Sequence, residues 1–143
     1  MGSGYSGCFD YVMSKDNVKK VCPDEMQMIE DLLDRVKLNW DDLARAYQYD
    51  DSIHPLYDEF EDSVAEHYEQ EIFDTLHEVF KKFHDSCGLS IELQYHDSEH
   101  GDRYDDVDGA YFSVSGAYQL TPEAQKLADK GITVSVATWV SYG

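Results

Sequence analysis

Residues 55–87 contain no glycine and no proline after Pro55, and this uninterrupted stretch limits the possible folds more than any other. Pro55 suits the first turn of a helix, where its missing N–H has no partner to lose. Asp58 and Glu59 follow where the helix dipole favours negative charge, and Gly88 fits the left-handed residue that ends many helices. A helix over the whole stretch would be about 50 Å long at ~1.5 Å per residue.

Its apolar stripe changes face. At about 100° per residue, Tyr57, Phe60, Val64 and Tyr68 share one side, whereas Ile72, Leu76, Val79, Phe80, Phe83 and Cys87 share another, turned by roughly 130°. One straight helix cannot bury both halves against a single partner. Either the helix kinks or breaks near residues 69–71, or its halves meet different neighbours; the second is the expectation, because no glycine or proline marks a break there.

The rest of the chain sorts into elements around this helix. Residues 5–13 are aromatic and β-branched and read as a strand, with Phe9, Tyr11 and Met13 on one face. Ser14 caps a short helical turn. Pro23 opens a helix whose Met26, Ile29, Leu32, Leu33 and Val36 recur as one buried stripe. Asn39 caps the next, with Trp40, Leu43, Ala44 and Tyr47 apolar. This pair reads as a structural helical hairpin. As a DNA-reading helix-turn-helix it offers only Arg45 as a cation on the second helix, where phosphate contact needs several.

After Gly88 the period falls to two. Leu89, Ile91, Leu93 and Tyr95 alternate with polar residues, as do Phe112, Val114, Tyr118 and Leu120, and these two strands should pair antiparallel. Thr121 and Pro122 open a short helix that ends at Gly131. Ile132, Val134, Val136 and Val140 line a last strand. Helices followed by strands indicate α+β: an N-terminal strand, a helical hairpin, one long helix, then a mainly antiparallel sheet of about four strands. With no linker or internal repeat, residues 1–143 form a single domain.

The balance of 30 Asp and Glu against 11 Lys and Arg gives a formal charge of −19. A polyanion of this kind is a poor ligand for nucleic acid or an anionic membrane and a good one for basic protein surfaces or metal ions. Three cysteines, Cys8, Cys22 and Cys87, without CxxC spacing suit reduced thiols rather than a disulfide framework. No apolar run approaches 18 residues and no signal-peptide pattern occurs, so a cytoplasmic location is expected. Gly2 and Ser6 fit the loose myristoylation pattern, but anionic lipid would repel so acidic a chain.

Candidate chemistry is sparse. Residues 97–109 carry six carboxylates and His100, and could hold a hard cation. The EF-hand template fails there, with Tyr104 where the first Asp belongs and Ser115 where the bidentate Glu belongs. His96 and His100 are weak metal candidates; a solvated hairpin tip is the competing reading. His77 and Glu78 lack the second histidine of HExxH, Lys81 standing in its place, so His67, His77 and His84 read as flanks of the apolar stripe. Cys8 has no base partner that the sequence indicates. Catalytic residues and cofactors are therefore expected to be none.

The charge pattern remains. Asp58, Glu59, Glu61, Asp62, Glu66, Glu69 and Glu71 place seven carboxylates on about 20 Å of helix, around half the phosphate density of a duplex. Asp41, Asp42, Asp50 and Asp51, and in the 97–108 loop Asp102, Asp105, Asp106 and Asp108, could add to that surface if they sit nearby. The expectation is a non-enzymatic acidic binding or inhibitor protein. It would engage a basic partner through Asp58, Glu59, Asp62, Glu66, Glu69 and the four loop aspartates, with nucleic-acid-binding proteins as the leading class and nucleic-acid charge as the thing imitated. Two alternatives are a metal-dependent hydrolase built on residues 96–109 and an acidic structural or toxin-neutralising partner.

Overall fold

A computed structural model describes residues 5–96, 109–115, 127–132 and 134–142, with only the backbone at 5–10, 96, 115 and 135–142. The fold is α+β, as the order of periodicities implies. Strand β1 (Tyr5–Met13) is followed by helices α1 (Lys15–Val21), α2 (Pro23–Arg35), α3 (Trp40–Gln48), α4 (His54–Glu59) and α5 (Asp62–Cys87), then by strands β2 (Ser90–His96), β3 (Gly109–Ser115) and β4 (Ser135–Tyr142). The strands lie in the order β2-β3-β1-β4 and every pairing is antiparallel.

Local signals set most boundaries. The Ser14 hydroxyl accepts the Asn17 N–H at the start of α1, and Asn39 forms a capping box with Asp42 at the start of α3. Helices α2 and α3 both end in paired 6→1 and 5→2 hydrogen bonds around a left-handed residue. In α2 that residue is Lys37, at φ 58°, with Leu38 N–H on the Leu33 carbonyl at 2.9 Å. In α3 it is Asp50, at φ 50°, with Asp51 N–H on the Ala46 carbonyl at 2.9 Å. Gly88 closes α5 at φ 74°, as its position suggests. Residues 127–129 are helical and run into Gly131 at φ 73°; the expected opening of that helix at Thr121 and Pro122 lies outside the described residues.

The single long helix is corrected. The chain breaks at Phe60 and Glu61, both extended (ψ 158° and 150°), rather than running on to residues 69–71. Phe60 N–H still closes α4 onto the Leu56 carbonyl at 2.9 Å, and the Phe60 ring lies 5.4 Å from Tyr68. The break removes the change of face. Within α5, Ala65, Ile72, Leu76, Val79, Phe83 and Cys87 form one continuous buried stripe, while Val64, assigned to the apolar side in the sequence, is 39% exposed. No glycine or proline is needed, because the Phe60–Tyr68 ring contact and the hydrogen bonds from Ile53 N–H and the Tyr57 hydroxyl to Glu69 stabilise the bend.

The expected helical hairpin is also opened out. Helix α2 lies on α5, whereas α3 lies against β2 and β3. Helices α3 and α5 thus cover the sheet, and α1, α2 and α4 pack on α5. The core sits between: Met13, Ile91, Leu93, Phe112 and Val114 from the sheet meet Leu43, Leu76, Val79 and Phe83, with Met26, Ile29 and Leu33 behind. Trp40 closes one margin, its ring edge-on to Phe112 at 6.1 Å.

Candidate functional site: an acidic helix junction

The bend between α4 and α5 decides where the charge goes. Asp58 and Glu59 end α4, Glu61 and Asp62 bridge to α5, and Glu66 follows one turn later; all five are exposed. Among the described residues none of the five side chains has a hydrogen bond or an ion pair. Phe60, between the two pairs, is half-buried and fixes their spacing from inside. The sequence-predicted residues Asp58, Glu59, Asp62 and Glu66 are therefore brought together on one outward junction.

Glu69 differs from them. Its Oε2 accepts the Ile53 N–H at 2.7 Å and its Oε1 accepts the Tyr57 hydroxyl at 3.3 Å. It ties the start of α4 to α5 and is half-buried, so it serves the fold and not an exposed docking face. Burial, then the Glu69 carboxylate, pushes the Tyr57 phenol up, which keeps it a donor. Of the remaining predicted positions, Asp102, Asp105, Asp106 and Asp108 lie outside the described residues, as does His100; His96 is placed in β2 by its backbone alone. Among the described residues no group of three histidine, cysteine or carboxylate side chains could hold a metal ion.

Several carboxylates that were candidates to extend the surface are used internally. Asp41 Oδ1 accepts the Ala110 N–H at 2.9 Å and so pins the start of β3. Asp42 closes the capping box and pairs with Arg45 at 3.0 Å. Asp51 accepts from Ser52 N–H at 2.8 Å and lies 3.1 Å from His54 Nε2, and these two contacts hold its carboxyl below the usual range.

Elsewhere, cations accompany the acids. Lys19 pairs with Glu30 at 2.6 Å and Lys82 with Glu25 at 3.0 Å. Around the junction the sequence supplies none: between Arg45 and Lys81 there is no lysine or arginine, against eleven Asp and Glu. Only His54, His67 and His77 could carry positive charge there. His67 lies 3.3 Å from Glu71 on the outer side of α5.

One feature of this region escaped the sequence reading. The left-handed turn at Asp50 folds the connector back, leaving a cleft of about 390 Å³ lined by Ala46, Tyr47, Asp50, Asp51, Ser52, Glu69, Phe73 and His77. A second hollow of about 250 Å³ shares Ala46, Asp51 and Ser52 with it. The one available signal was a non-glycine left-handed residue, which a helix-end pattern with aspartate does not advertise. Comparison of the chain with protein-family models, with curated proteins and with solved structures finds no match, so the functional reading is carried by these residues.

Proposed function

We propose that this protein is a non-enzymatic acidic binding protein that engages the basic surface of a protein partner through the α4–α5 junction, with nucleic-acid-binding proteins as the partner class. One observation carries the reading: Asp58, Glu59, Glu61, Asp62 and Glu66 are exposed together in a stretch with no lysine or arginine to neutralise them. Packing would favour neutralised or dispersed charge, since like charges on neighbouring turns repel. Grouped and unpaired, they raise the local potential and steer a cationic partner at long range.

The test separates a shaped site from bulk charge. A junction variant, Asp58→Asn, Glu59→Gln, Asp62→Asn and Glu66→Gln, is compared with a control that loses equal charge at exposed Asp16, Asp24, Asp34 and Asp85. Each is titrated into complexes of labelled duplex DNA with basic DNA-binding proteins recovered by pull-down at low salt. The parent chain is expected to displace the duplex, less well at high salt because exposed charge is screened. Four exposed ion pairs at ~0.2–1 kcal/mol each would cost the junction variant about fourfold to a thousandfold in affinity, and the control little. No displacement by the parent, or equal loss in both variants, overturns the reading.

A further inference from the structure

We propose that the cleft walled by Tyr47, Phe73 and His77 beside Asp50, Asp51 and Glu69 is an arginine pocket, receiving one guanidinium from the basic partner. This inference rests on the binding function proposed above and names the group that the partner inserts.

At about 390 Å³ the cleft falls within the ~300–1,000 Å³ typical of small-ligand sites. Its aromatic wall is pre-set. Tyr47 is held edge-on by Phe80 at 5.4 Å and by His77 at 6.2 Å, and His77 in turn meets Phe80 at 6.2 Å. Little side-chain freedom is left to lose when a flat cation settles against it. The acceptors are equally fixed. Glu69 is clamped by Ile53 N–H and Tyr57 hydroxyl, yet each carboxylate oxygen keeps a further acceptor position. Asp51 is held by Ser52 and His54, and Asp50 stands exposed at the rim. Among the described residues no lysine or arginine lines the cleft, so none of them supplies its counter-charge.

Aromatic rings beside carboxylates suit guanidinium better than ammonium. The guanidinium is planar, less strongly hydrated, stacks on rings and forks onto carboxylate oxygens, whereas an ammonium is a point charge. The molecule already uses this recognition internally: Arg45 lies 4.9 Å from the centre of the Tyr95 ring while bonded to Asp42 at 3.0 Å. The pocket repeats those ingredients with the cation left out.

The test is an NMR titration of the full chain with N-acetyl-arginine amide, N-acetyl-lysine amide and neutral N-acetyl-citrulline amide. Arginine amide is expected to shift resonances of Tyr47, Asp50, Asp51, Glu69, Phe73 and His77, lysine amide to do so at least threefold more weakly, and citrulline amide not at all. Asp50→Asn, which keeps a residue tolerant of positive φ, and Phe73→Leu should each weaken arginine binding at least threefold while the remaining amide spectrum is unchanged. Shifts spread over the whole acidic surface, equal response to citrulline amide, or insensitivity to both variants overturns the pocket. These results are independent of duplex displacement: a silent cleft with intact displacement removes the pocket alone, and a responsive cleft without displacement removes the proposed function alone.

Discussion

At Gly109 the backbone takes φ 84°, and a Cβ there would lie 2.8 Å from Asp41 Oδ1, the atom that accepts Ala110 N–H. Gly109→Ala is therefore expected to cost about 2 kcal/mol, from left-handed strain and a displaced carboxylate. The measurement is the urea midpoint at unchanged m-value. Adding Asp41→Ala should make the double variant cost less than the sum of the singles, because the clash has gone. Cys22 makes a second case. It is fully buried, its Sγ is 3.6 Å from the Val79 carbonyl, and burial, then Glu25, pushes its thiol up from 9.0 to about 11. The folded chain keeps the proton where the unfolded chain loses it. That contribution to stability is complete below pH 9 and is lost as pH rises towards 11. The fall in urea midpoint between pH 8.5 and 10.5 should be shallower in Cys22→Ala than in the parent, since other groups titrate in both. For Cys22 the sequence indicated only a reduced thiol, whereas Cys87 already stood on the apolar stripe of the long helix; both prove buried and free.

Among the elements, α4 depends most on one side chain. It is six residues long with no side-chain cap at its N-terminus, and Glu69 supplies the acceptor for Ile53 N–H from the neighbouring helix. Glu69→Ala is expected to cost about 1–3 kcal/mol, the range for a buried donor left unpaired. The loss should be local, read as faster amide exchange at Ile53 and along α4 with α5 unchanged. Glu69→Gln should recover part of it, because an amide oxygen can still accept. Caps and stripes made most elements legible in advance: Ser14, Pro23, Asn39 and Gly88 all stand at the ends their chemistry suggests. The bend at Phe60 was not legible. Nothing in the composition of residues 59–62 forbids helix, and the cause is a ring contact with Tyr68 together with a long-range carboxylate clamp. Such interactions exist only once the chain has folded back, so local pattern cannot announce them. The same holds for Glu69, which as a member of an acidic run looked like its exposed neighbours.

For the whole molecule, the class α+β and the antiparallel sense of the sheet followed from the switch of period at Gly88, because periodicity records which face each residue buries. Which helix covers which strand did not follow. Helix α3 reaches the sheet while α2 turns away to α5, and that division depends on the left-handed step at Lys37, a residue whose type gives no hint of it. The charge was legible as a total and only partly as a surface. Four of the acidic positions expected to meet a partner, Asp58, Glu59, Asp62 and Glu66, are exposed about the bend, whereas Glu69, Asp41, Asp42 and Asp51 are committed to hydrogen bonds within the fold.

The order of the strands has a consequence for how the chain is made. Strand β1 runs beside β4 from Tyr5 opposite Tyr142 to Val12 opposite Ser135, so its partner is separated from it by more than a hundred residues. During synthesis the first strand must wait, with that row of backbone groups open, until residues 135–142 have left the ribosome. Contacts so distant in sequence close slowly, and an open strand is an invitation to stick to a neighbouring chain. Residues 50–78, with eleven Asp and Glu and no lysine or arginine, emerge during that interval.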